Sequence, residues 1–323
     1  MTLEMKRIVT LIASGALLLT SCADKQGDEP RQDTSAIGFT TSVSRSTAGP
    51  VSGFVDGDAF SVWAQMKLTG GTGTPVSIFN AEKVTYDGSA WSYANTRYWE
   101  LAGYDFAAVY PAEVAGASVA YAEDGTPVFR IENYNATANY DLMTATTTAT
   151  YTGGTPSPVA FTFRHIMSNI VFVARTAPAL AQQGVTMTIT SFRLTGFPVT
   201  GSYDSSRTPA WSVSTPENER YNSTDEILLE GTEYAPVADL IVFPQELGTA
   251  AGSSLRYEIS YKSSGGDEYT RSGRLQTVSG NLARWEPGRR YRYTVELGGD
   301  YILFGTPEVD EWSEISGGRW NVE

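Results

Sequence analysis

Ile37-Gly38-Phe39-Thr40-Thr41-Ser42-Val43-Ser44 decides the fold class. Ile37, Phe39, Thr41 and Val43 alternate with small or polar residues, and a period of two marks a strand with one buried face. The same alternation returns at Phe60, Val62 and Ala64, and at Tyr104, Phe106, Ala108 and Tyr110 before Pro111. It returns again at Val185, Met187 and Ile189, at Leu255, Tyr257, Ile259 and Tyr261, and at Tyr291, Tyr293, Val295 and Leu297. Asp87-Gly88 between Val84, Tyr86 and Trp91, Tyr93 predicts a hairpin, because Gly accepts the positive φ that tight hairpin turns require. Ile170 to Val173 reads as a buried strand, with further strands at Pro127 to Ile131, around Arg274 to Val278, and at Tyr301 to Phe304. Thr176 to Gly184 holds one helical turn, with Pro178 early and Gly184 as its stop. Apolar residues nowhere keep helical spacing for three turns, and no short exact repeat occurs. The chain therefore reads as an all-β sandwich or barrel protein. Thr144 to Pro158 is rich in Thr, Gly and Pro and reads as a domain connection. This predicts two sandwich domains, residues 36–156 and 157–323.

Upstream of the first strand lies Lys6-Arg7, then an apolar run from Ile8 to Leu19, then Leu19-Thr20-Ser21-Cys22. Charged head, apolar middle and small residues at the cut make residues 1–21 a secretory signal. The run is shorter than the roughly 20 apolar residues a spanning helix needs. Cys22, the one cysteine, stands where a bacterial lipobox places its lipidated residue. An ordinary signal with a chance cysteine is the alternative. Met5 makes a cleaner start than Met1. Residues 22–35 are polar and read as a tether, and the acidic residues behind Cys22 resemble surface-export signals of some Gram-negative lipoproteins.

The chain is 41% hydrophobic and 12% aromatic, enough for packed cores, and its net charge is −13. An acidic surface argues against nucleic acid as a partner and against electrostatic docking on anionic lipid. The lipid on Cys22 would anchor the protein in the outer membrane. With Cys22 used, no thiol remains for a disulfide or a thiolate metal site.

Catalytic equipment is sparse. His165 is the only histidine and follows Phe163 in an aromatic strand, so it reads as a partly buried structural residue rather than a site. The common zinc and Cys/His arrangements are excluded, and Gly-x-Ser-x-Gly, His-Glu-x-x-His and phosphate-loop patterns do not occur. A glycosidase carboxylate pair stays open. Asp56-Gly57-Asp58 reads as a turn rather than a calcium loop. Trp91, Tyr93, Tyr98 and Trp99 read as core packing, with sugar stacking as the alternative. No cofactor and no metal is expected, and the chain reads as a non-enzyme.

These stretches, taken in order, resemble the fimbrillins, the subunits of type V pili. The lipobox resembles the precursor form. Ser44-Arg45-Ser46-Thr47 followed by Phe54-Val55-Asp56-Gly57-Asp58-Ala59-Phe60-Ser61-Val62 resembles the family's opening. Tyr98-Trp99 with Tyr104 to Pro111 resembles its aromatic block. Tyr140-Asp141-Leu142-Met143 and Phe161 to Ile170 resemble its interdomain signature, and Ile241 to Gln245 with Trp285 to Tyr293 resemble its C-terminal half. The resemblance implies two transthyretin-like β-sandwich domains in tandem. It also implies a pilus stalk, anchor or tip subunit, partnered by other subunits and at the surface by a host or bacterial ligand. It implies further that an arginine-specific, trypsin-like protease cuts near the N-terminus, that the first strand leaves, and that a neighbour's C-terminal segment fills the groove. Arg45 is the matching arginine. Arg31 is the rival, but a cut there leaves the strand of Ile37, Phe39, Thr41 and Val43 attached. Ile315, Trp320 and Val322 are the donor candidates, with Gly317-Gly318 weakening the strand pattern. The alternative function is a surface glycan-binding lipoprotein that does not polymerise.

Overall fold

The computed structural model describes residues 35–44, 53–68, 74–214, 220–248 and 254–312. The first strands are β1 Phe39–Val43, β2 Ala59–Leu68, β3 Val76–Tyr86, β4 Trp91–Ser92, β5 Ala102–Tyr110, β6 Ala117–Tyr121, β7 Pro127–Asn135, β8 Met143–Tyr151 and β9 Val159–His165. Seven of them form one sheet in the order β1-β9-β8-β5-β2-β3-β4. The predicted hairpin joins β3 to β4. Tyr86 pairs with Trp91, Gly88 has φ +87°, and the Asp87 carboxylate accepts the amides of Ser89 and Ala90. The sheet curls over its own core of Phe60, Val62, Tyr104, Phe106, Phe161 and Phe163. The alternate residues Trp63, Ala107 and Val109 are buried too, in a different cluster. Covered on both faces, β5 is a nearly continuous apolar run, as a doubly buried strand must be.

The remaining elements are β10 Ser168–Thr176, α1 Pro178–Ala181, β11 Met187–Thr195, β12 Thr200–Asp204, β13 Trp211–Val213, β14 Tyr221–Ser223, β15 Ile227–Leu229, β16 Ala235–Val242, β17 Gln245–Glu246, β18 Arg256–Ser263, β19 Glu268–Arg274, α2 Leu275–Val278, β20 Arg284–Trp285, β21 Arg289–Leu297, β22 Ile302–Phe304 and β23 Glu308–Glu311. One sheet runs β16-β10-β21-β22 with β23 also on β21; another runs β14-β11-β18-β19 with β15 also on β11. Phe172, Ile189, Phe192, Tyr257, Ile259 and Tyr293 from these strands share one core, with Phe172 stacked on Tyr293 at 4.9 Å. The Tyr293 hydroxyl accepts Trp285 Nε1–H at 3.1 Å and meets Ser279 Oγ at 2.9 Å. The predicted helical turn is α1, with Pro178 in its first turn.

A third arrangement holds the two parts together. β12 and β13 extend the β6–β7 hairpin into a sheet of order β13-β12-β7-β6. Phe129, Ile131, Trp211, Ile241, Phe243 and Trp312 join Trp63 and Val109 in one cluster. At its margin Arg220 donates from Nη2 to the carbonyls of Ala136 at 2.8 Å and Ile241 at 2.9 Å. Burial lowers its pKa.

The all-β architecture is as expected, and the described helices are single turns. The division expected after residue 156 does not follow the strands. β9 lies in the first sheet, Phe161 and Phe163 lie in the first core, and the change of core falls between Phe163 and Ile170. β12 and β13 then return across that point to pair with β7. Thr144 to Tyr151, read as part of a connection, belongs to β8, paired along its length with β5. Threonine is β-branched and suits a pleated surface. The strand expected around Arg274 to Val278 ends at Arg274, and Leu275–Val278 turns into α2, which buries Leu275.

Candidate functional site

β1 is the edge strand of the curled sheet, and it is held from both sides. Phe39 to Val43 pair in parallel with Val159 to Phe163. Val159 N–H donates to Gly38 O at 2.8 Å, and Ser44 N–H to Phe163 O at 2.9 Å. On the other side Ala36 bridges Tyr98 antiparallel, with Ile37 N–H on Arg97 O and Trp99 N–H on Ser35 O, both at 2.8 Å. The segment thus closes the gap between β9 and the chain that follows β4.

Its side chains keep the alternation read from the sequence. Ile37, Phe39 and Val43 are buried and Thr40 is exposed. Phe39 sits among Phe60, Phe79, Tyr93, Phe106 and Phe161, with ring centroids 5.7–6.5 Å away. Thr41, the polar member of the inner row, accepts Trp91 Nε1–H at 3.0 Å. The Tyr93 hydroxyl donates to Ile37 O at 2.7 Å, and burial raises its pKa, so it stays a neutral donor. Without β1, this wall would present an aromatic floor, the free ladder edge of β9, and the Trp91 and Tyr93 donors. Such a surface is chemically suited to one occupant, an extended chain with alternating apolar residues.

Of the predicted site residues, Ile37, Phe39, Thr41 and Val43 are brought together here. Cys22, Arg45, Ile315, Trp320 and Val322 lie outside the described residues. Trp91 and Tyr93, read from sequence as core packing, are the residues that fasten β1. Trp99 is buried and Tyr98 is exposed. The pairing partner at Arg97 to Trp99 has no local sequence signal, since irregular backbone that meets a strand end carries no periodicity.

The C-terminal end of the described chain is fixed inside the same molecule. β23 pairs with β21, and Trp312 N–H donates to Gly288 O at 3.0 Å. The Trp312 ring stacks on His165 at 4.1 Å. His165 is buried, with Nδ1 2.8 Å from Asp141 Oδ1, so the lone histidine is a packed residue, as the sequence suggests.

The sequence model of the fimbrillin-like family matches residues 44–312. This chain belongs to the fimbrillin-like family. The match begins at Ser44, directly after β1. Among solved structures, the fimbrillin-like chain is similar to a protein from Bacteroides ovatus described as a cell adhesion protein, at 16% identity, with a TM-score of 0.56 over 86% of this chain and 96% of that one. It is also similar to a fimbrial protein from Bacteroides vulgatus, at 15% identity, with a TM-score of 0.54 over 86% and 99% of the two chains. A third, from Bacteroides uniformis and also described as a cell adhesion protein, has 17% identity and a TM-score of 0.50 over 86% and 99%. At these identities the likeness speaks to the fold of the fimbrillin-like chain. No curated protein matches it.

Proposed function

We propose that this fimbrillin-like chain is a structural or adhesive subunit of a cell-surface pilus. It is exported to the outer membrane as a lipoprotein on Cys22 and assembled by strand exchange, and it is not an enzyme. The observation that carries the reading is β1, a short edge strand whose buried face fills an aromatic groove and whose chain continues directly into Arg45. Membership of the family and the likeness to fimbrial and adhesion proteins support the same class. Arg45 follows both Cys22 and β1 in the chain. One cut there parts the rest of the protein from its lipid and its first strand in a single step. The exposed groove then accepts the C-terminal segment of another subunit, through backbone pairing and alternate side chains.

The test is incubation of the purified precursor with an arginine-specific protease, followed by N-terminal sequencing and a polymer gel. The expected result is a new terminus at Ser46 with a ladder of polymers, absent from Arg45→Ala. Polymers that form equally well from Arg45→Ala would remove the mechanism. For the anchor, Cys22→Ala is expected to leave the membrane fraction.

A further inference from the structure

The sheet β13-β12-β7-β6 turns Phe129, Ile131 and Trp211 toward the shared core. Arg130, Glu132 and Ser212 alternate with these residues along the same strands and are exposed. They help to line a cavity of about 620 Å³, together with Tyr203, Asp204 and Arg207. This volume is in the range of small-molecule sites.

Asp204 organises the floor. Its Oδ1 accepts the amide of Ser206 at 3.0 Å and the Ser206 hydroxyl at 2.6 Å. Its Oδ2 takes Arg130 Nε at 3.3 Å and Arg207 Nε at 3.4 Å. The bonds from Ser206, with Arg130 behind them, hold its carboxyl below the usual range, so it is ionised. Both arginines reach Asp204 through Nε. Among the described residues their terminal nitrogens have no further partner, and neither has the Glu132 carboxylate. Burial raises the Tyr203 pKa, so its hydroxyl is protonated at neutral pH.

The chemistry of the lining selects among ligands. Two guanidinium groups face two carboxylates, so the charges cancel, whereas a phosphate or nucleic acid needs a surplus of positive charge. A peptide or an apolar ligand needs a row of apolar pockets, whereas here Tyr203, Pro209, Ala210 and Trp211 share the lining with hydroxyl, carboxylate and guanidinium groups, a mixed surface that suits the apolar faces and hydroxyl edges of a sugar ring. A sugar hydroxyl donates and accepts at once. Guanidinium donors placed beside carboxylate acceptors satisfy both halves, and no net charge is asked of the ligand. We propose that the cavity on the outer face of β7, β12 and β13 binds an uncharged oligosaccharide through the terminal nitrogens of Arg130 and Arg207, which Asp204 holds in place, and the carboxylate of Glu132. The site lies on a different sheet from the β1 groove and does not depend on strand exchange.

The experiment uses the uncut precursor, which keeps the two readings separable. Saturation-transfer NMR is run with maltohexaose, mannohexaose and laminarihexaose as neutral probes, and with 3′-sialyllactose as the anionic one. At least one neutral hexasaccharide is expected to receive transfer and sialyllactose none. Arg207→Ala, at an exposed side chain, should weaken the binding about tenfold. Ser212→Trp, which fills the cavity, should abolish it, with circular dichroism unchanged in both variants. No transfer to any neutral probe, preference for sialyllactose, or undiminished binding by folded Ser212→Trp would overturn the proposal.

Discussion

Phe39→Ala isolates the plug from the rest of the fold. The ring is 5% exposed, so its removal loses nearly the whole transfer free energy of a phenylalanine and leaves a cavity walled by Phe60, Phe79, Tyr93, Phe106 and Phe161. Such truncations cost about 3–5 kcal/mol in a packed core, part of it aromatic edge contacts of roughly 0.5–1.5 kcal/mol each. Because β1 is an edge strand joined to one neighbour along its length, the cost need not unfold the protein. It falls first on the equilibrium between docked and released β1, which shifts about 100- to 5,000-fold toward release. Hydrogen exchange reads this directly. In Phe39→Ala the amides of β1 should exchange faster by about that factor, while those of β10 and β21 change little. Trp91 Nε1–H, which donates to Thr41, should lose protection with β1. The reasoning would be refuted by equal acceleration in β1 and β21, which would mean that β1 leaves only when everything unfolds.

Other measurements probe the body that holds the groove. Arg220→Ala removes the donor shared by Ala136 O and Ile241 O. Leaving buried carbonyls unmet should lower stability to urea by about 2–4 kcal/mol, and a loss under about 0.5 kcal/mol would show that the clamp is ornamental. Burial pushes the Tyr293 phenol up to about 12, against about 10 in an unfolded chain. Its folded-state pKa is raised, so its share of stability is complete below pH 10 and is lost as pH rises toward 12. Alkaline ultraviolet titration should therefore show Tyr293 ionising late, and Tyr293→Phe should flatten the fall in stability above pH 10. Asp87 is held below the usual carboxylate range by the amides of Ala90 and Ser89, a benefit present above about pH 4 and lost below it. NMR titration of Asp87 should place it lower than in Ser89→Pro.

Much of the fold was legible because period two survives wherever one face is wet. The inner rows at Phe60 to Ala64, Tyr104 to Tyr110 and Tyr291 to Leu297 became strands, and so did the row that became β1. Asp87-Gly88 was legible because its turn chemistry is local. Two kinds of feature were hidden. Thr144 to Tyr151 carries its β preference in small branched residues without aliphatic bulk, and sequence weight alone makes it look like a tether. The return of β12 and β13 to β7 is a pairing across about 70 residues of chain, and no local pattern encodes which distant edge a strand will meet. The candidate site divides the same way. The face of β1 was readable from its own residues, while the grip of Trp91, Tyr93 and Arg97 to Trp99 exists only in three dimensions.

The pairing of β7 with β12 has a mechanical consequence. The ladder from Thr200–Asn135 to Asp204–Arg130 stitches early chain to late chain, and the cluster around Trp211 and Phe243 lies beneath it. A load applied between the two ends enters this antiparallel ladder at Arg130 and Asp204, which face each other, so it peels the pairs apart one after another instead of shearing them together. Stretched in an optical trap, the protein should open this ladder first, at low force, before the sheets on either side of it yield. A string of such bodies would then have some give inside each bead as well as at the joints where one copy meets the next.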